Sequence, residues 1–281
     1  MIRPLFKQSS FPTPTLQLIE INPRSRNKYP PPDHSVLGPI MPWNEHCHRR
    51  YERPIQTTEN PIRAFNPAWH PLYNGQYSDI VGACPGCGAN RIKVPSRTAV
   101  VALDGERIDC GGIVIAVDGA CRNNGQPDAR AAYGVFHGEG SDENFSRIVP
   151  SNHPPTNQVA EIFAAIAALK KLQLALRPWD PDGRVACKVL IRSDSSYLVQ
   201  GISEHIWKWK KNGYRTAKKQ TVENWKLFQR LDELMMDFEM NHIPVWFWHV
   251  RREFNTEADA LANSRLDNYY ELTSECFSYP L

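Results

Sequence analysis

The sequence has no continuous apolar run of about 18 residues and no secretory signal peptide. A membrane-spanning helix needs such a run and a secreted chain needs such a signal, so we expect no membrane span and no secretion. Seven cysteines in 281 residues, without a secretory context, are typical of a reducing compartment. The sequence therefore predicts an intracellular protein, nuclear or cytoplasmic.

The sequence also lacks a large excess of positive or negative charge, since the formal net charge is only +3. Partners must therefore be predicted from local clusters of charge. The first 19 residues hold Arg3 and Lys7 and no acid, which faintly resembles a mitochondrial presequence. Three prolines in the same stretch disfavour the amphipathic helix of a presequence, so an ordinary disordered terminus is the better prediction. A mitochondrial location rests on this stretch alone.

Proline is unevenly distributed, with 15 of the 23 prolines in the first 95 residues. Because proline lacks a backbone N–H and fixes φ, this density disfavours helices and central strands. We predict that residues 1–80 form an extended or partly disordered segment. Its aromatic side chains are numerous for a solvated tail, so wrapping around the folded domain is an alternative. They are Trp43, Tyr51, Phe65, Trp69, Tyr73 and Tyr77.

A second Cys-x-x-Cys motif is missing, which leaves only Cys84 and Cys87 within a small element at residues 81–111. The spacing of these two cysteines lets both thiolates reach one tetrahedral ion. The hypothesis is a structural zinc site of Cys84, Cys87 and Cys110, with a fourth ligand from the His-Cys-His cluster at 46–48. The alternative is a turn that carries two ordinary thiols.

Residues 112–270 alternate between strand-like and helix-like patterns. The strand patterns are at 113–118, 131–137, 144–149, 186–192 and 245–250. Helical patterns begin near residues 157, 195, 222 and 255. The first three strands are joined by short turns, which favours an antiparallel meander. The pattern predicts an α/β domain, a five-stranded mixed sheet with helices on both faces, followed by a tail at 271–281.

Four acids of this domain either follow a strand or lie in the first turns of a helix. They are Asp118, Glu161, Asp194 and Asp259. An isolated Asp-Gly pair such as 118–119 more often only starts a turn, but four acids placed in this way predict a cluster. Converging carboxylates raise one another's pKa unless a divalent cation neutralises them, and hard oxygen ligands favour Mg²⁺ or Mn²⁺ over zinc. Two such ions would suit hydrolysis of a phosphodiester.

Five motifs occur in order over about 155 residues: DGACRNNG, TNQVAE, SDSSYLVQGI, WKKNGYRT and NTEADALA. Through these motifs residues 112–267 resemble type 1 ribonuclease H, the bacterial and eukaryotic form. The resemblance implies a ribonuclease H-like fold and an endonuclease that hydrolyses the RNA strand of RNA–DNA hybrids, leaving 5′-phosphate and 3′-hydroxyl ends. It implies a monomer, with two Mg²⁺ or Mn²⁺ ions bound by the four catalytic acids Asp118, Glu161, Asp194 and Asp259.

The resemblance also implies contacts with the hybrid. Asn124, Asn157 and Gln158 match family residues that contact 2′-hydroxyls and base edges in the minor groove. Such contacts are physically apt, because the 2′-hydroxyl is what distinguishes RNA from DNA. Thr156 and Asn224 match a pocket that binds a phosphate of the DNA strand.

Aromatic and basic positions are implied in the same way. Tyr197 and Tyr214 match aromatic residues that line the deoxyribose channel, with Tyr214 in place of a more usual Trp. Residues 207–219 hold six Lys or Arg and no acid, and they match a basic protrusion that binds phosphates. A solvated charged face is the alternative for this stretch. The candidate contacts are Trp207, Lys208, Lys210, Lys211 and Tyr214.

The sequence departs from the family pattern after the fifth strand. The family usually has a glycine-rich loop with a histidine here, whereas residues 249–259 are a few residues shorter and His249 aligns with the strand end. Short-loop relatives exist in plants and archaea. The shorter loop therefore does not by itself imply inactivity. The second hypothesis is a hybrid- or RNA-binding module that kept the fold and lost turnover with the loop. An exonuclease or junction resolvase of the same superfold is disfavoured by Asn157, Gln158 and the basic stretch.

Overall fold

The computed structural model describes residues 60–93 except 86, residues 100–101, residues 107–175 and residues 188–276 except 242. Eight strands form one sheet within these ranges: β1 Val81–Ala83, β2 Asn90–Lys93, β3 Val100–Val101, β4 Arg107–Arg122, β5 Arg130–Phe136, β6 Phe145–Ile148, β7 Lys188–Ser193 and β8 Val245–His249. The helices are α1 Asn157–Ala175, α2 Ser196–Gln200, α3 Ile206–Asn212, α4 Trp225–Met240 and α5 Thr256–Cys276. A π-helical turn, Gly201–His205, joins α2 to α3. None of these helices is both long and apolar enough to cross a membrane.

The long strand β4 lies at the centre of the sheet. Its C-terminal half pairs antiparallel with β5, which pairs antiparallel with β6. Its middle pairs parallel with β7, which in turn pairs parallel with β8. Strands β4–β8 therefore confirm the predicted mixed sheet, in which three antiparallel strands are followed by two parallel ones.

Both faces of this sheet are covered, which explains the continuous apolar run at the start of the domain. Ile113, Ile115 and Val117 lie in the same core as α1, α2 and α4. Val114 packs on the other face, in a cluster with residues of β7 and β8. Helix α5 covers that second face beside β5, where Ala262 contacts strand alanines.

Three short strands extend the sheet beyond the five that we predicted. Strands β1 and β2 form an antiparallel pair, and both β2 and β3 pair with the N-terminal half of β4, where each meets Ile108. The described residues between 81 and 111 thus contribute to the same sheet as the domain predicted at 112–270. The predicted boundary between 111 and 112 falls inside β4.

The last helix is also longer than predicted. Helix α5 ends at Cys276, six residues inside the stretch 271–281 that we expected to be a tail. The stretch from Thr256 to Cys276 contains neither Gly nor Pro, so nothing in it ends a helix.

Residues 60–80, here called the N-terminal strap, lie against β8. Ala64 forms a parallel bridge with Phe247. The backbone N–H of Phe247 donates to the oxygen of Arg63 at 2.7 Å, and that of Phe65 donates back to Phe247 at 2.8 Å. The rings of Phe65 and Tyr77 pack on Trp248 at 5.3 and 5.4 Å between centroids. Since β8 pairs with β7 alone among the described strands, the strap satisfies backbone groups of an edge strand.

Candidate active site

Three carboxylates meet where β4, β7 and α1 come together. Asp118 lies in the C-terminal half of β4, and Asp194 directly follows its parallel neighbour β7. Glu161 lies in the second turn of α1. One oxygen of each carboxylate lies within 4.8 Å of the other two. The strand β4 continues past Asp118 to Arg122, contrary to the predicted end at 118, but its parallel pairing with β7 stops at Ala116 and Arg192. Each acid lies two residues beyond this last pair, so the register places Asp118 beside Asp194.

The fourth predicted acid, Asp259, reaches the same cluster from α5. Its carboxylate lies close enough to Asp118 for its charge to raise the pKa of that acid. It also accepts a hydrogen bond at Oδ1 from Arg252 Nη2, at 3.1 Å. The structure therefore brings all four predicted acids together, with Asp118 between the others.

Two glycines allow the helices to lie this close to the strands. A Cβ atom at Gly119 would lie 2.6 Å from the carbonyl carbon of Ala160 in α1. A Cβ atom at Gly134, which pairs with Asp118 across β4 and β5, would lie 2.8 Å from the nitrogen of Ala262 in α5. Neither glycine was predicted as part of the site, although a glycine inside a strand often marks a close approach of another backbone.

Burial and mutual repulsion dominate the electrostatics of the cluster. Burial, followed by the charges of Asp194 and Asp259, raises the pKa of Asp118 to about 8. Burial, followed by the charges of Asp118 and Asp194, raises the pKa of Glu161 well above its usual range. The buried Oε2 of Glu161 has no hydrogen-bond partner among the described residues. An all-oxygen donor set with mutual repulsion and an unpartnered buried oxygen fits a hard divalent cation.

We expect the metal-free protein to become less stable as the pH rises from about 4 to about 8. The pKa of Asp118 is about 8 in the folded state and about 4 in the unfolded state. Between about pH 4 and about pH 8, the folded state therefore keeps a proton on Asp118 that the unfolded state has lost. The free energy of unfolding therefore falls with pH. Thermal unfolding in EDTA should show this slope, Asp118→Asn should flatten it, and Mg²⁺ at pH 8 should raise the melting temperature. A slope that is unchanged in Asp118→Asn would contradict the assignment.

Asn255 organises the cluster, although the sequence suggested only that it starts the last helix. It is 1% exposed, and its Nδ2 donates to the backbone oxygen of Val117 and to Asp194 Oδ1, both at 3.0 Å. Asn255 thus ties Asp194 to β4 at the residue before Asp118. His249 Nε2 donates to the backbone oxygen of Asp194 at 3.2 Å, so this histidine supports the backbone of the acid.

The connection from β8 to α5 is as short as the sequence indicated. Residues 250–255 include one 3₁₀ turn, Arg252–Phe254. Arg251 pairs with Glu253 at 3.0 Å, and Arg252 pairs with Asp259 at 3.1 Å. An arginine thus contacts the fourth acid from this short connection.

Comparison with known proteins identifies the family to which the region with the four acids belongs. The RNase H family model matches residues 111–267, which is more than half of the chain and includes the four acids and Asn255. The chain belongs to the ribonuclease H family. This match confirms the predicted family. Together with relatives that are named ribonuclease H, it identifies the chain as a ribonuclease H enzyme.

Individual relatives of this ribonuclease H domain agree with the family match. The chain is 34% identical over 160 residues to ribonuclease H of Clostridium botulinum, covering 56% of this chain and 97% of that protein. It is 36% identical over 152 residues to ribonuclease H1 of Rattus norvegicus, covering 53% of this chain and 48% of that protein. A solved structure of LC11-RNase H1 in complex with an RNA/DNA hybrid is 25% identical, with a TM-score of 0.39, and covers 56% of this chain and 99% of that one.

The residues of the ribonuclease H domain that we predicted to contact the minor groove are exposed to solvent. Asn157 and Gln158 are exposed in the first turn of α1, and Asn124 is exposed in the turn between β4 and β5. Thr156 Oγ1 accepts a hydrogen bond from the backbone N–H of Val159 at 3.2 Å. Thr156 therefore caps α1, whatever it contacts in a substrate.

One residue of the predicted phosphate pocket, Asn224, forms a hydrogen bond with one residue of the predicted deoxyribose channel, Tyr197. Asn224 Nδ2 donates to the Tyr197 hydroxyl at 3.2 Å, and that hydroxyl donates to the oxygen of Glu223 at 3.2 Å. Tyr214 packs on Trp225 at 5.4 Å between ring centroids. Within the described residues no hydrogen bond joins Thr156 to Asn224, so their shared phosphate pocket stays a prediction.

The four basic-stretch candidates on α3 are not equivalent. Lys208 and Lys211 are exposed. Trp207 is half-buried, and its Nε1 donates to the oxygen of Ser203 at 3.0 Å. Lys210 forms an ion pair with the buried carboxylate of Asp232 at 2.9 Å. Lys210 is therefore shared between the protein and any phosphate that it contacts.

The structure gives the zinc prediction no support. Cys84 and Cys87 belong to the turn between β1 and β2, where the N–H of Cys84 donates to the oxygen of Ala89 at 2.9 Å. Cys87 is exposed, and its Sγ lies 3.7 Å from Arg91 Nη2. In the described part of the chain, the carboxylate cluster is the only metal-ligating group of three. The Cys110 side chain and residues 46–48 lie outside the described part.

Proposed function

We propose that this chain is an endonuclease that hydrolyses the RNA strand of RNA–DNA hybrids and leaves 5′-phosphate and 3′-hydroxyl ends. The convergence of Asp118, Glu161 and Asp194, with Asp259 beside Asp118, on a domain that belongs to the ribonuclease H family carries this proposal. Relatives that share 34% and 36% identity with the domain bear the name ribonuclease H. The proposal includes an intracellular monomer, as expected from the sequence.

The four acids would hold two Mg²⁺ or Mn²⁺ ions. Bound divalent ions supply positive charge that activates a water molecule and stabilises the leaving oxygen of the phosphodiester. Asp118, which contacts the other acids, has the most central position, and the unpartnered Oε2 of Glu161 is a ready ligand. Asn255 orients Asp194 through the hydrogen bond at its Oδ1. These contacts fix the carboxylates before substrate arrives, which favours a rigid and reactive site.

Binding of the hybrid would use the exposed polar groups beside the acids. Asn157 and Gln158 lie within one turn of Glu161 on α1, and their amides can both donate and accept hydrogen bonds with a 2′-hydroxyl. Lys208 and Lys211 present ammonium groups on α3. Ammonium groups neutralise phosphates without reading sequence, so we expect affinity that is independent of sequence and sensitive to salt.

A short hybrid with a labelled RNA strand tests the proposed function. We expect cleavage of the RNA strand with Mg²⁺ or Mn²⁺, none in EDTA, and none of single-stranded or duplex RNA. A hybrid with blocked RNA ends should still be cut, since an endonuclease needs no free end. Binding of the hybrid without cleavage in either metal would instead identify a hybrid-binding module that has lost turnover.

A further inference from the structure

Arg63 joins the N-terminal strap to the helical layer of the domain. Its side chain is 1% exposed. Nη1 donates to Asp232 Oδ1 at 2.6 Å, and Nε donates to Glu239 Oε1 at 3.1 Å. Both acids lie on α4, and the backbone oxygen of Arg63 is held by β8. Residue 63 lies outside the region 111–267 that matches the family, so this contact belongs to the chain's own strap.

The same acid also binds the basic helix. Asp232 Oδ2 accepts from Lys210 Nζ at 2.9 Å. The guanidinium of Arg63 lies 4.4 Å from the centroid of the Trp207 ring, and Lys210 Nζ lies 5.5 Å from it. Arg63, Lys210, Asp232, Glu239 and Trp207 thus form one cluster, here called the Arg63 cluster, which joins the strap, α3 and α4.

The burial of Asp232 decides how the charges of this cluster are shared. Asp232 is 3% exposed, and a carboxylate taken out of water needs a cation close by. Lys210 keeps 36% of its side chain exposed, whereas Arg63 is fully enclosed. Without Arg63, the ammonium of Lys210 would be the closest cation left to Asp232 and would be bound more firmly by it. With Arg63 in place, the buried charge is neutralised from the interior.

We propose that Arg63 is a positioning residue for hybrid binding, which shares the charge of Asp232 and so weakens the hold of that carboxylate on Lys210, leaving Lys210 available to a phosphate of the substrate. This inference rests on the proposed function, since it needs a hybrid on α3. Arg63 then affects the substrate-binding surface only through its charge, and the rest of the strap takes no part in binding. Arg63 itself contacts no substrate.

The test measures hybrid binding by fluorescence anisotropy with the full chain in an Asp118→Asn background, which prevents cleavage. We expect Arg63→Met to raise the Kd about fivefold and to lower the slope of log Kd against log salt by about one phosphate contact. In the Arg63→Met/Asp232→Asn double variant, Lys210 is released, so the Kd should return to within about twofold of the parent. In the otherwise unmodified enzyme, Arg63→Met should raise KM and leave kcat unchanged.

Two control variants accompany Arg63→Met: one changes a neighbouring residue of the strap, and the other removes a different arginine. Ile62→Ala alters the neighbouring strap residue, which is 58% exposed. Arg230→Met removes an arginine of α4 that pairs only with the exposed Glu233 among described residues. Both should leave the Kd unchanged. If Arg63→Met does not fold, Lys210→Ala is added to the double variant, where it should weaken binding about fivefold.

The outcomes separate this inference from the proposed function. A parent protein that does not bind the hybrid contradicts the proposed function. A parent that binds, with a salt slope unchanged in Arg63→Met or a Kd that Asp232→Asn does not restore, overturns the role of Arg63 and leaves the proposed function intact. Unchanged binding after Lys210→Ala in the double variant overturns it equally.

Discussion

Asp118→Asn is expected to slow cleavage of the hybrid by at least about a thousandfold, which corresponds to about 4 kcal/mol of lost transition-state stabilisation. Asp118 is 4% exposed and contacts the other acids, so the substitution removes one charged ligand from the centre of the cluster. The neutral amide keeps nearly the same shape and relieves the repulsion that raises the pKa of Glu161. We therefore expect the variant to fold and to bind the hybrid.

Three measurements on purified Asp118→Asn check this expectation. Single-turnover cleavage should be lost, hybrid affinity in EDTA should stay within about threefold of the parent, and the melting temperature in EDTA at pH 8 should rise by about 2–6 °C, as expected for about 1–2 kcal/mol of relieved repulsion. Asp142→Asn is the matched control, because Asp142 is an exposed acid between β5 and β6. Retained cleavage by Asp118→Asn would overturn the assignment of the acids.

The acid cluster could be predicted from the sequence because its members have local signatures. Asp118 and Asp194 each terminate a buried apolar run, and Glu161 and Asp259 each follow a helix start. The end of an apolar run and the start of a helix are local features, and the parallel pairing of β4 with β7 brings Asp118 and Asp194 together. The mixed sheet followed from the same periodicity.

The remaining features of the site depend on contacts between distant residues, which have no local signature. Arg63 meets Asp232 across 169 positions of the chain. Asn255 forms a hydrogen bond with Val117 of β4 across 138 positions, whereas its local sequence indicates only the start of a helix. Lys210 resembles any solvated lysine of a basic stretch, although Asp232 binds it. We predicted residues 81–111 as a separate element because the sequence does not show that β4 begins before residue 112. Strands β2 and β3 pair with this earlier part of β4.

Gly119→Ala is expected to lower both stability and activity strongly, although it adds only one methyl group. The added Cβ would lie 2.6 Å from the carbonyl carbon of Ala160 and 2.7 Å from its Cβ, so α1 would have to retreat from β4. Overpacking against backbone typically costs about 3 kcal/mol, which should lower the melting temperature by about 6–12 °C. Glu161 follows Ala160, and a displacement of about 1 Å in a catalytic group can reduce the rate about a hundredfold.

Gly125→Ala separates this steric effect from the conformational preference of glycine. Gly125 lies in the turn after β4 with φ +82°, and a Cβ atom added there would have no other atom within 4 Å. Its substitution should cost only the strain of a left-handed conformation, about 1 kcal/mol, and should leave kcat unchanged. If Gly119→Ala behaved like Gly125→Ala in melting temperature and in kcat, α1 could move freely on β4. The close approach of the helix would then not be what fixes Glu161 beside Asp118.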